Sequence, residues 1–387
     1  MFTRCSKLAI FTHIYIYIYI YIYIYIYIYI YISVLDYTYT WDIYLHRSNC
    51  ALFPTLQDSG RVAENPVSIR SNCSCREVSM GTRRVLVTGC SSGIGMAVAV
   101  RLAKEKGFKV VATMRDLEKR EPLERVAGDT LNRSLEIRQL DACCEDSIRE
   151  CVDSLQDRQV DVLVSNAGVG MIGPLECQSM SDMQGLFDTN FFGLVRLVKE
   201  VLPDMKRRRS GHIVVMSSIM GIQGLLFNDV YSASKFAVEG FCESLAVQAM
   251  KFSVKMTLVE PGPVGTEFER KVYEDAEKMD LAGVDEETAR IFREIYLPYS
   301  RKVFNSLAQT PEEIAEQTLQ LITAKEPPFR HQTNRVYMPM TALKHADPTG
   351  RLPLDTFYKL LFKHDSLFTA SLGLLRMLQK RAGKSSK

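Results

Sequence analysis

From residue 83 onward the apolar positions keep changing their period. Short β-branched and aliphatic runs alternate with longer stretches in which apolar residues recur every three or four places. Arg83–Thr88 (RRVLVT) reads as a first strand, Met96–Lys106 as a helix, and Phe108–Met114 as a second strand with a helix after it. Leu135–Leu140, Val160–Ser165, His212–Ser217 and Lys255–Val259 read as later strands, with Glu145–Leu155 and Asp229–Phe252 helical. Such alternation over roughly 250 residues predicts an α/β fold. Its architecture is a doubly wound parallel sheet of Rossmann type, with ligands at the C-terminal ends of the strands.

Both ends of the chain depart from this rhythm. Residues Ile14 to Ile32 alternate Ile and Tyr without a fault. As a strand, the segment would put Ile on one face and Tyr on the other, an aggregation hazard if exposed. As a helix it would rise ~28 Å, near the thickness of a bilayer core, but would scatter hydroxyls around every side. A third reading comes from the genetic code: ATA encodes Ile and TAT encodes Tyr, so an in-frame AT repeat gives this peptide. On that reading residues 1–80 are an upstream extension outside the fold, and Met80 is the natural start. Peptides N-terminal to Met80 in mass spectra of the native protein would overturn it.

At the other end, Leu354–Leu378 places apolar residues at helical spacing among basic ones. Arg351 to Lys387 holds eight Lys/Arg against Asp355 and Asp365. No apolar run there is long enough to span a bilayer. The segment reads either as a helix lying on an anionic lipid surface or as one docked on the protein itself. The expected organisation is therefore an extension (1–80), a catalytic domain (81–330) and a basic amphipathic C-terminal extension (331–387).

Composition narrows the function. With 24% charged and 47% hydrophobic residues the chain is globular rather than disordered. A net charge of only +3 gives no case for nucleic acid as a partner. The ten cysteines show no CxxC or CxxH spacing, and no HExxH occurs. Free thiols in a reducing compartment are expected, and no metal site. Lys206–Arg209 reads as a solvated loop.

The chemistry is concentrated in a few spacings. After the first strand come Gly89-Cys90-Ser91-Ser92-Gly93-Ile94-Gly95 and a helix. Strand, glycine turn and helix form the context of a phosphate-binding loop. Gly89 allows the turn, Gly93 lets the backbone approach a pyrophosphate, and Gly95 lets helix and strand pack closely. The position 20 beyond Gly95, where an acidic residue would select NAD, is Arg115. A guanidinium there favours the 2′-phosphate of NADP(H), with Ser92 as a second donor and the adjacent Asp116 opposing. Tyr231 and Lys235 stand four apart in a helical pattern, on one face. An ammonium beside a phenol lowers its pKa toward the working range. Ser218, thirteen residues before Tyr231, ends a strand that can bring its hydroxyl to the same substrate oxygen.

Taken together, these residues resemble the short-chain dehydrogenase/reductase family over roughly residues 83–330. The motifs are Thr88-Gly-(x)3-Gly93-x-Gly95, Asn166-Ala167-Gly168, Asn190, Ser218, Tyr231-(x)3-Lys235, Pro261-Gly262 and Thr266. The resemblance implies Tyr231 as general acid/base and Ser218 holding the substrate oxygen. It further implies Lys235 on the nicotinamide ribose and Asn190 on a water relay. Asp141 would contact adenine, Thr266 the carboxamide, and Ser91, Ile94, Asn166, Ala167, Gly168, Pro261 and Gly262 would complete the cofactor site. Ser165 departs from the family's usual Asn at a structural position.

Finer likenesses, including Phe227–Tyr231 and Leu258–Pro263, point to the family's retinol- and steroid-oxidising branch. Tyr299 stands where the steroid enzymes have a substrate-gripping histidine. The implied activity is reversible NADPH-dependent reduction of all-trans-retinal. Estrone/estradiol oxidoreduction is the alternative, and a nucleotide sensor without turnover is disfavoured by the intact Ser218, Tyr231 and Lys235. In this family Glu267–Phe304 forms a helical lid over a small apolar substrate, although a plain amphipathic helix pair on the core has the same pattern. A homodimer and a cytoplasmic, peripherally membrane-associated location, in photoreceptor outer segments for the retinoid branch, are further expectations.

Overall fold

The computed structural model describes residues 82–363. The expectations for the Ile–Tyr repeat, for residues 1–80 and for the tail beyond Lys363 lie outside the described residues. The first half of the fold runs β1 (Arg83–Val87), α1 (Gly93–Ala103), β2 (Phe108–Met114), α2 (Glu121–Ala127), β3 (Leu135–Gln139), α3 (Glu145–Asp153) and β4 (Val162–Ser165). Helix α4 (Met180–Phe187) then passes through a π-helical turn, Asp188–Phe192, into α5 (Gly193–Arg208). Next come β5 (Gly211–Met216), α6 (Asp229–Lys251) and β6 (Val254–Glu260). The last part holds α7 (Glu267–Glu277), α8 (Glu286–Arg290), a second π-helical turn (Ile291–Tyr296), α9 (Leu297–Leu307), α10 (Pro311–Thr323), β7 (Arg330–Gln332), α11 (Met338–Ala346) and α12 (Arg351–Phe362).

The seven strands form one parallel sheet in the order β3-β2-β1-β4-β5-β6-β7. Both faces are buried, as parallel sheets require. Val85 and Val87 pack on one face with Val98, Leu102, Ile314 and Leu319. Leu86, Leu163 and Ile213 pack on the other with Leu197, Met205 and Val238. The chain order reverses between β1 and β4, and at such a switch point a crevice opens beyond the strand ends.

Two readings of the sequence change. The Lys206–Arg209 run is not a loop: it closes α5, with Arg209 in the left-handed C-cap position at φ 54°. Cations are favourable at a helix C-terminus. Arg208 pairs there with Asp204 at 2.6 Å and Asp161 at 2.9 Å. The seventh strand, Arg330–Gln332, is three polar residues at the sheet edge, so it carries no apolar alternation to find. It straddles the expected boundary at residue 330.

The lid segment folds as α7 to α9, and it divides the two roles open to it. Phe292 is fully buried and Tyr296 nearly so, packed edge-on against Phe227 at centroid distances of 5.1 and 5.3 Å. Phe268 stays partly exposed at the mouth of the crevice. Helix α12 is two-sided as well. Leu360 packs toward Leu307, and Leu361 is buried, while Leu352, Leu354 and Tyr358 face outward.

Candidate active site

The glycine turn after β1 is built by close approach. Gly89 has φ +71°, and a β-carbon on it would fall 2.9 Å from the Ala167 backbone. A β-carbon on Gly95 would sit 2.3 Å from Gly89 O, so neither position admits a side chain. Asn166 ties the turn to the end of β4, its Nδ2 donating to Thr88 O at 2.9 Å and Gly89 O at 3.3 Å. Thr88 Oγ1 in turn accepts from the backbone N–H of Asn166 and Ala167. Ser92 is the N-cap of α1, yet its hydroxyl makes no bond to the helix and faces the crevice.

That crevice has a volume of about 310 Å³. Gly89, Ser91, Ser92, Gly93 and Ile94 form one end of its lining, and Arg115 and Asp141 flank them. Asn166, Ala167 and Gly168 continue it toward Tyr231, Lys235, Pro261 and Thr266. Gly95, Asn190, Ser218 and Gly262 are not among the residues that line this crevice, although Ser218 is hydrogen-bonded to Tyr231, which is. Asp116 turns away, capping Glu118 N at 2.9 Å and lying 3.7 Å from Lys119, which leaves Arg115 as the charge at the end of β2. Thr266 caps α7 through Glu269 N, and its methyl packs over Gly93.

Asn190 is buried inside the π-helical turn, a feature that often marks functional sites. Its Oδ1 accepts from Val169 N at 2.8 Å, and its Nδ2 donates to Val169 O at 2.9 Å and Ser234 Oγ at 3.1 Å. The side chain is thus engaged in fixing α6 against the loop after β4.

Tyr231 and Lys235 lie on one face of α6, as their spacing predicts. Lys235 Nζ sits 5.8 Å from the Tyr231 ring centroid and donates to Met216 O at 3.0 Å. The electrostatics differ from expectation. Burial pushes the Tyr231 phenol well above its ordinary range, Glu269 adds to the rise, and the hydrogen bond with Ser218 opposes it. The ammonium is committed to a carbonyl rather than to the phenol oxygen, so desolvation wins. Burial also pulls Lys235 down to about 8, against the attraction of Glu239. Burial thus favours the neutral form of both side chains, raising the Tyr231 phenol and lowering the Lys235 ammonium.

Sequence reasoning missed several lining residues. Ser217 and Thr189 are chain neighbours of Ser218 and Asn190, and adjacency alone would have suggested them. Cys143 and Met216 carried no signal of their own, whereas Phe268 belongs to the segment expected to cover the substrate. Glu269 was also missed: it sits in the first turn of α7 and is pushed up to about 7 by burial.

Among the described residues no group of His, Cys, Asp or Glu is arranged to hold a metal ion. Likewise, no described helix is long and apolar enough to cross a membrane. Cys90, Cys143, Cys144, Cys151, Cys177 and Cys242 are free thiols.

Comparison with known proteins agrees with this geometry. The family model for short chain dehydrogenases matches residues 83–277. Human retinol dehydrogenase 8 is 52% identical over 295 residues, covering 76% of this chain and 94% of that protein. Human 17-beta-hydroxysteroid dehydrogenase type 1 is 43% identical over 282 residues, covering 72% of this chain and 85% of its own. Among solved structures, a Streptomyces avermitilis short-chain dehydrogenase superposes with a TM-score of 0.57 at 26% identity, covering 72% of this chain and 97% of that one. A serine dehydrogenase complexed with NADP+ gives 0.53 at 30% identity, covering 64% and 93%.

Proposed function

Because this chain belongs to the short-chain dehydrogenase family and is an oxidoreductase, we propose that it interconverts all-trans-retinal and all-trans-retinol with NADP(H). The observation that carries the substrate is the 52% identity to human retinol dehydrogenase 8, against 43% to the steroid enzyme. Arg115 and the uncommitted Ser92 hydroxyl supply donors for a 2′-phosphate. The glycine turn and the N-terminus of α1 receive the pyrophosphate. Asp141 would contact adenine and Thr266 the carboxamide, and both line the crevice.

When bound, the nicotinamide supplies the hydride, which adds to the carbonyl carbon. The chain's own groups handle the oxygen. Ser218 orients it, and the Tyr231 phenol gives it a proton as the C=O bond becomes an alcohol. Lys235, held by Met216 O, stabilises the phenolate left behind and holds the ribose. A reversed flow of proton and hydride oxidises retinol.

The steroid reading is the alternative, supported by 43% identity to an enzyme of that name. Kinetics with all-trans-retinal and estrone, each with NADPH and NADH, separate the two. Retinal with NADPH is expected to be the best pair, and equal or better turnover of estrone overturns the retinoid reading. The residue roles, the domain limits and a peripheral lipid-surface location belong to the same proposal. The outward Leu352, Leu354 and Tyr358 of α12 support the last of these. Truncation after Gly350 is expected to abolish binding to anionic vesicles, and undiminished binding removes the anchoring idea.

A further inference from the structure

Three consecutive residues at the end of β5 are each fixed by a separate bond. Lys235 Nζ holds Met216 O at 3.0 Å, and Ser217 Oγ donates to Glu239 Oε1. Ser218 Oγ accepts from Met220 N at 3.1 Å. Lys235 and Glu239 are four residues apart on α6 and share a face, both buried at 7% and 4% exposure. The Glu239 carboxylate also presses on the turn that follows Ser218. A β-carbon at Gly221 would fall 2.7 Å from Glu239 Cγ and 2.8 Å from its Oε1.

A carboxylate buried this deeply needs a counter-charge and hydrogen bonds. Arg330 brings both from β7. Its Nη1 lies 2.6 Å from Glu239 Oε2 and 2.8 Å from Glu260 Oε1, and its Nη2 lies 3.3 Å from Glu243 Oε2. Glu260 is fully buried, and its Oε2 has no hydrogen-bond partner among the described residues. Three carboxylates thus converge on one guanidinium, with Lys235 the next cation along α6. The three-residue strand that the sequence pattern hides is what delivers this guanidinium beneath the catalytic corner.

We propose that Glu239 is a positioning residue for hydride transfer, acting through Ser217 and Lys235 and anchored by Arg330. The inference rests on the roles given above to Tyr231, Lys235 and Ser218. Glu239 does not touch substrate. It holds the Ser217–Ser218 corner against α6, and its charge keeps Lys235 an ammonium while burial works to neutralise it. The groups facing it are Lys235, Cys242 and Glu243 on α6, Ser217 after β5, Glu260 on β6, and Arg330 on β7. Burial and the neighbouring Glu239 push Glu260 up to about 7, and burial raises Glu239 as well, against its bonds to Ser217 and Arg330.

The test is kcat for reduction against pH, measured on the full chain with NADPH and the better of all-trans-retinal and estrone. Glu239→Gln is expected to lower kcat tenfold or more and to move the alkaline limb to lower pH by about one unit. Glu239→Asp restores the limb through its charge while kcat stays low, because its shorter reach loses Ser217. Ser217→Ala lowers kcat and leaves the limb in place. A folded Glu239→Gln with the wild-type limb overturns the proposal. Should that variant fail to fold, wild-type kcat in both Ser217→Ala and Glu239→Asp overturns it instead. Tyr231→Phe is run alongside. Activity retained there overturns the catalytic roles and this proposal together, whereas its loss beside an unmoved Glu239→Gln profile overturns the proposal alone.

Discussion

The ring of Tyr337 fills the space in which residue 262 would carry a side chain: a β-carbon on Gly262 would lie 2.5 Å from Tyr337 Cε2. The region after the sheet's last strand therefore reaches back to the loop that follows β6. Gly262→Ala is expected to force that ring aside, with an overpacking cost of about 1–3 kcal/mol. The measured result is a lowered Tm and a raised KM for NADPH. The double variant Gly262→Ala with Tyr337→Ala is expected to recover much of the Tm. A single variant as stable as the parent would show that the contact is slack.

On the proposed reading, cofactor choice turns on Arg115, which lines the crevice. Arg115→Asp replaces a phosphate donor with a ribose-hydroxyl acceptor. Loss of a charge-assisted bond is expected to raise KM for NADPH roughly 10- to 100-fold while KM for NADH falls. Steady-state kinetics with both cofactors check this, and unchanged selectivity would move the determinant elsewhere.

His212 links stability to pH. Burial, with Arg83 and Lys255 nearby, pulls it down to about 3, and its Nε2 meets Thr257 Oγ1 at 2.9 Å. Above the ordinary histidine value the folded and unfolded chains are both neutral here, and this residue adds no pH dependence. Below about 6.5 only the unfolded chain takes up the proton, so stability is expected to fall by up to about 1.4 kcal/mol per pH unit as pH drops. Urea melts of the protein and of His212→Gln between pH 7 and 5 report the difference, which is expected to shrink the slope in the variant.

The sheet was legible because burial on both faces leaves short aliphatic runs that only a parallel strand explains. Five strands appear at their places for that reason and the edge strand β3 by the alternation of Leu135, Glu136 and Ile137, whereas β7 does not, since Arg330–Gln332 is wholly polar. The glycine turn and the Tyr231–Lys235 spacing were legible because close backbone approach and one helical turn are local demands. What acts across the chain was not. Glu239 meets Arg330 over 91 residues, and Tyr337 meets Gly262 over a long stretch of intervening chain. The direction of the Tyr231 shift escaped for the same reason. Spacing puts an ammonium on the same face but does not reveal that Met216 O accepts its hydrogen bond or that burial outweighs it.

Single-turnover oxidation of enzyme-bound NADPH by all-trans-retinal, compared between the parent and Tyr231→Phe, reads the central step apart from binding and product release. Loss of the general acid is expected to slow that step by about 10²- to 10⁴-fold, with NADPH affinity unchanged. A Tyr231→Phe protein that oxidises NADPH within a few-fold of the parent rate would contradict the account.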